Sequence, residues 1–124
     1  MPKKSMEVLT ESMFYVLMAL KNQPMCGIDI AESIECHTIG RLRLGPATLY
    51  TILGKFEKEG YIEEVQVEGR KRTYSITERG LEAYREELKR LHCCIADARR
   101  AFVKGGAVDE REACEARLAA PALS

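Results

Sequence analysis

The sequence predicts a mainly α-helical chain that carries one small β-hairpin and ends in a long helix. Three observations carry the prediction. Short stretches with apolar residues at helical spacing come first, two β-rich stretches around a Glu-Gly turn follow, and an apolar seam then runs from Leu81 to Phe102.

In the first stretch Leu9, Met13, Val16, Leu17 and Leu20 line one face of a 3.6-residue period, and Thr10 is placed to cap a helix from about Glu11 to Lys21. Pro24 and Gly27 end it, and Ile30, Ala31 and Ile34 give a second short amphipathic helix to about His37. Gly40 to Leu44 alternates arginine with leucine, the pattern of a very short strand with its leucines inward. Pro46 then suits the first turn of a third helix, because its missing N–H would have no partner there. Leu49, Ile52, Leu53 and Phe56 supply the buried face of that helix, and Gly60 is expected as its left-handed cap.

Tyr61 to Val67 is rich in β-branched and aromatic residues, Glu68-Gly69 is turn chemistry, and Arg72 to Ile76 alternates again, which reads as a hairpin with a basic tip. Thr77 can cap a fourth helix from Glu78 to Lys104. Along it Leu81, Tyr84, Leu88, Leu91, Ile95, Ala98 and Phe102 recur every three and four residues as a heptad seam. Such a helix measures ~40 Å at 1.5 Å per residue, more than so small a domain can cover, so the seam needs a partner. Gly105-Gly106 breaks it, and Asp109 to Ala120 has the composition of one more short helix. The boundary is therefore drawn between 1–77 and 78–124.

With 124 residues, 46% of them hydrophobic, the chain can bury a core and is too short for a large multidomain enzyme. The 19 basic and 19 acidic side chains cancel, so any contact with nucleic acid must be local rather than domain-wide. The longest apolar run, Met13 to Leu20, is far below the ~20 residues of a membrane span. Five cysteines without a Cys-x-x-Cys spacing suggest reduced thiols and a cytoplasmic setting. His37 and His92 are the only histidines, and no nucleophile arrangement or phosphate-cradling loop accompanies them, so no enzyme, cofactor or metal is expected.

Three short helices, a charged hairpin and a long heptad helix, in that order, are the parts of a winged helix-turn-helix with a dimerisation helix appended. In such a domain the third helix enters the major groove and the wing follows the backbone. Ala47 and Thr48 are small and Gly54 has no side chain, so the backbone can come close to the DNA, and Tyr50 and Thr51 carry hydroxyls able to bond phosphate or base edges. Lys55, Lys58, Arg70, Lys71 and Arg72 are expected on phosphates, and Arg41 and Arg43 add to the case for DNA. Leu81, Tyr84, Leu88, Leu91, Ile95 and Phe102 would form the homodimer seam.

The stretch Arg41-Leu-Arg-Leu-Gly-Pro-Ala-Thr-Leu-Tyr50, followed by Leu53-x-x-Phe56-Glu57-Lys-Glu-Gly60-Tyr-Ile62-Glu, resembles the PadR family of bacterial transcriptional regulators. So do Leu9 to Leu20, Gly27-Ile28-Asp29-Ile30, Gly69-Arg-Lys-Arg72 with Tyr74, and Ile76-Thr77-Glu-x-Gly80, a resemblance that covers roughly Leu9 to Leu91. It implies a small dimeric repressor of a double-stranded DNA operator. Its last helix would pack on the first helix of the other subunit, and its effectors would be small apolar or aromatic molecules. Ala47 replaces the family's usual glycine, Ile28 stands where an aromatic is common, and the chain has no tryptophan to serve as a platform for planar drugs.

Met13, Phe14, Met18, Ile95 and Phe102, with Met6, could line an effector pocket at the interface, although stripes at helical spacing also mark plain core packing. Two other readings compete. Cys36, Cys93 and Cys94, with His37 and His92 beside them, could make a metal- or thiol-responsive sensor, but adjacent helical residues point ~100° apart, so His92, Cys93 and Cys94 cannot all face one ion and a site would need Cys36 or the second subunit to close it. Alternatively the winged helix serves only protein assembly.

Overall fold

The computed structural model describes residues 8–104, with side chains as far as Ala101 at the end of the last helix. In chain order they form α1 (Glu11–Asn22), β1 (Met25–Cys26), α2 (Gly27–His37), α3 (Pro46–Glu59), β2 (Ile62–Glu68), β3 (Lys71–Ile76) and α4 (Glu78–Lys104). The strands make one antiparallel sheet in the order β1-β3-β2, and the fold is a winged helix. The expected helix at Asp109 to Ala120, the side chains of Met6 and Phe102, and Cys114 lie outside the described residues.

α1 starts where a side-chain oxygen can satisfy an orphan N–H: Thr10 Oγ1 accepts from the Met13 amide at 3.2 Å. Its apolar face is the centre of the core, with Val16 and Leu17 fully buried and Met13, Phe14, Ala19 and Leu20 nearly so. Ile30 and Ile34 of α2 and Leu49, Ile52, Leu53 and Phe56 of α3 complete that core. Burying each such side chain contributes about 1.5–3 kcal/mol.

Two elements differ from the sequence expectation. Gly40 to Leu44 is not a strand but the connection from α2 to α3. The alternation is real, since Leu42 and Leu44 are half-buried and Arg41 and Arg43 exposed. The backbone, however, leaves α2 through two residues in the left-handed region, Ile39 (φ 54°) and Gly40 (φ 77°). Thr38 then folds it back, its Oγ1 donating to the Ile34 carbonyl at 2.9 Å and accepting from the Leu42 amide at 3.0 Å. The third strand is instead β1, two residues in the stretch after Pro24, with Met25 opposite Tyr74 and Cys26 opposite Thr73.

The wing is a hairpin of β2 and β3 in which Ile62 pairs with Ile76 and Glu68 with Lys71, interrupted by a bulge between Glu64 and Gln66. Gly69 turns it with φ 61°. The start of α4 is fastened to the end of α3. Thr77 Oγ1 lies 2.6 Å from the Gly60 carbonyl and 3.0 Å from that of Tyr61, shares its one hydrogen between them, and accepts from the Gly80 amide at 3.1 Å. Tyr84 stacks on Phe14, ring centroids 5.1 Å apart and planes 10° from parallel. These first turns of α4 belong with the winged helix. The chain divides into two compact units after Glu87, inside α4, whereas the sequence reading draws its boundary at Thr77. Among the described residues no helix is long and apolar enough to cross a membrane.

Candidate nucleic-acid interface

α3 sorts its residues by face. Gly45 is its N-cap in extended conformation, Pro46 takes the first turn, and Gly60 closes it at φ 80° with its amide on the Glu57 carbonyl. With Leu49, Ile52, Leu53 and Phe56 turned into the core, Ala47, Thr48, Tyr50, Thr51, Gly54, Lys55 and Lys58 are all exposed together. The stretch from Ala47 to Gly54 carries no charge, so what it offers a ligand is methyl groups, hydroxyls and bare backbone. Thr51 Oγ1 donates to the Ala47 carbonyl at 2.9 Å, which leaves its lone pairs to accept and its methyl free to pack.

Tyr50 is 53% exposed, and its ring lies along the start of α2. A Cβ built on Gly27 would stand 2.7 Å from the Tyr50 hydroxyl oxygen and 3.1 Å from the ring carbon bearing it. Gly27 thus admits the tyrosine, fixing α3 against α2 while the other face of the ring stays open. The family-like Gly27-Ile28 motif contains this glycine, but only the fold shows that its partner is Tyr50.

At the wing, Arg70, Lys71 and Arg72 are all exposed around Gly69. Arg72 Nη1 stands 3.7 Å from Glu64 Oε1 across the hairpin, an exposed pair that holds the arginine loosely. Behind it Tyr74 is buried. Its hydroxyl pKa is raised above the ordinary tyrosine value by burial first and by the charge of Glu57 second, with Arg72 opposing.

Arg41 and Arg43 meet acids of their own chain. Arg41 Nη1 lies 2.8 Å from Glu11 Oε2, and Arg43 Nε 3.3 Å from Glu35 Oε2. The bond to Glu11 and its charge, helped by Tyr15, raise the Arg41 pKa further.

Four of the residues expected to line an effector pocket, Met13, Phe14, Met18 and Ile95, have described side chains. Met13 and Phe14 are buried in the core, and Phe14 is occupied by Tyr84. Met18 borders a small cleft with Tyr15, Ala19, Asn22, Ser33 and Ile34. Ile95 is 38% exposed on the second unit. Of the seam, Tyr84 is buried within its own chain, and burial raises its hydroxyl pKa. Leu81, Leu88 and Leu91 are half-buried. Cys36, Cys93 and Cys94 are exposed, Cys26 is buried, and among the described residues no three His, Cys, Asp or Glu side chains gather as a metal site.

The fold has many solved counterparts. A transcriptional regulator from Clostridium thermocellum superposes with a TM-score of 0.65 at 24% identity, covering 71% of this chain and 89% of its own. A PadR family transcription regulator from Clostridium difficile gives 0.59 at 17%, covering 73% and 96%. The zinc-responsive MarR family member ZitR of Lactococcus lactis gives 0.58 at 18%, covering 90% and 72%. No curated protein matches the sequence. The sequence itself matches the family described as transcriptional regulator PadR-like over residues 16–86, from within α1, through the exposed face of α3 and the wing, to the first turns of α4; the chain belongs to the PadR-like family of transcriptional regulators.

Proposed function

We propose that this regulator is a homodimeric, sequence-specific repressor that binds a two-fold symmetric double-stranded DNA operator and releases it when a small apolar or aromatic effector binds. The observation that carries the DNA reading is the exposed face of α3. Its N-terminal half is uncharged and small enough for close approach, with Tyr50 braced by Gly27, and basic side chains follow at Lys55, Lys58 and the wing tip. In this reading Ala47, Thr48, Tyr50 and Thr51 meet base edges. Lys55, Lys58, Arg70, Lys71 and Arg72 meet phosphates.

The dimer reading is supported by the second half of α4, where Leu88 and Leu91 are half-buried and Ile95 is exposed at heptad spacing. Two α3 helices would then address successive major grooves about 34 Å apart. The joint at Thr77 and Gly80 supplies the means of control, because a shift of the first turn of α4 must carry the end of α3 with it. An effector acts only if it prefers one dimer geometry.

Operator affinity measured against rising salt tests the DNA reading: with several phosphates neutralised, log affinity should fall with a slope near ~0.9 per contact. A salt-independent interaction, or none, would leave an assembly module. Replacing Leu88 and Leu91 together by Glu should give monomers that bind the operator poorly, and a double variant that stays dimeric and tight refutes the seam.

A further inference from the structure

Arg41 stands in the connection that delivers the chain to the N-cap of α3. Its guanidinium is engaged at both ends within the chain: Nη1 is 2.8 Å from Glu11 Oε2, Nη2 donates to the Tyr15 hydroxyl at 3.2 Å, and its carbon lies 5.9 Å over the Tyr15 ring. The Arg41 amide also donates to the Thr38 carbonyl at 3.1 Å, and Arg43 ties the same connection to α2 through Glu35. Tyr15 in turn meets Phe14 edge to face at 5.9 Å, and Phe14 stacks on Tyr84 of α4. An unbroken series of contacts thus runs from the start of α4, through the first turns of α1, to the segment that sets where α3 begins.

We infer that Arg41 is a positioning residue for DNA recognition: by holding the α2–α3 connection to Glu11 and Tyr15 of α1, it fixes the N-terminal end of α3 and does not itself neutralise a phosphate. This inference rests on the DNA-binding reading above. A guanidinium whose charge already faces a carboxylate gains less from a phosphate, because the carboxylate repels a second anion brought beside it. Releasing it leaves the connection to be ordered at the moment of binding. The affinity lost is bounded by the strength of the contacts released. With the two side chains of the pair 57% and 55% exposed, that bound is about fivefold.

The probe is a DNA duplex that the wild-type full chain enriches from a random-sequence pool. Arg41→Gln and Glu11→Gln should each weaken binding about three- to fivefold while keeping the wild-type salt slope. The exchange Glu11→Arg with Arg41→Glu should recover most of the loss. Tyr15→Phe, which keeps the ring and removes only the hydroxyl, should move affinity in the same direction by less, and melting temperatures identify any variant that loses its fold. If Arg41 contacts a phosphate, Glu11→Gln will bind as well as wild type or better, Arg41→Gln will lower the slope by about 0.9 per subunit, and the exchange will not recover binding. Those results, or single variants with unchanged affinity, overturn the inference alone. A wild-type protein that enriches no sequence overturns the reading beneath it as well.

Discussion

Replacing Gly80 by alanine should destabilise the protein even though alanine is the better helix former. Gly80 lies in the first turn of α4, and a Cβ there would stand 2.2 Å from the Tyr61 carbonyl oxygen, 2.8 Å from Ile76 Cγ1 and 3.0 Å from the Tyr61 carbonyl carbon. The nearest of these is backbone, which cannot swing aside as the end of a long side chain can. That same oxygen accepts from the Thr77 amide at 2.9 Å, so making room for a methyl group loosens the cap as well. Overpacking costs about 1–3 kcal/mol, a weakened hydrogen bond about 1 kcal/mol, and the helical preference of alanine returns about 1 kcal/mol. The balance is a loss of about 1–3 kcal/mol. Urea unfolding followed by far-UV circular dichroism, at one fixed protein concentration, measures it. Gly54→Ala is the matched control. Gly54 is also helical but has nothing within 4 Å of its would-be Cβ, so the same substitution there should stabilise by about 0.5–1 kcal/mol. If both variants shift in the same direction, the contact with Tyr61 does not decide the effect and the reasoning fails.

Ile39 is β-branched, left-handed at φ 54° and 91% exposed at the position after the α2 cap, where glycine is the usual occupant. Ile39→Gly should therefore raise stability by about 0.5–1 kcal/mol, the relieved strain less the extra freedom of the unfolded chain; a lower melting temperature speaks against it. Burial raises the hydroxyl pKa values of Tyr74 and Tyr84, so the folded chain holds those protons more tightly than the unfolded one. Their contribution is complete below about pH 10 and is lost as pH climbs through the raised values. The urea midpoint should drop above that pH, and drop less when both are phenylalanine; identical pH profiles contradict the assignment. Tyr50→Ala should leave the protein folded, lower the unfolding midpoint modestly because the ring packs on Gly27, and weaken specific operator binding about tenfold. Unchanged affinity removes Tyr50 from the interface.

What the sequence made legible follows from where the physics is local. The four helices and the hairpin emerge from periodicity, Thr10, Thr77 and Gly60, because caps and amphipathic faces are properties of neighbours in the chain. β1 has no such signature: two residues after a proline become a strand only because β3 arrives beside them from far along the chain. The Arg-Leu-Arg-Leu alternation misled for the converse reason, since half-buried leucines alternate in any extended connection and a strand also needs a partner. The exposed side of α3 was readable as the complement of its apolar face. Its dependence on Gly27 was not, and neither was the capture of Arg41 by Glu11 and Tyr15, because both join residues that only folding brings together.

The zero net charge also acquires a physical meaning on the proposed function. α3 carries Lys55 and Lys58 against Glu57 and Glu59, and the hairpin sets Arg70, Lys71 and Arg72 against Glu63, Glu64 and Glu68, so neither element is basic as a whole. The positive charges lie at the wing tip and in the second half of α3, whereas Ala47 to Gly54 is neutral. Attraction to phosphate and reading of bases are thereby assigned to different residues. Neutralising Lys71 should lower affinity for every duplex and reduce the salt slope. Changing Thr48 or Tyr50 should alter which duplex is preferred at an unchanged slope. A wing variant that shifts sequence preference, or an α3 variant that shifts the slope, would show that the two tasks are not divided along this line.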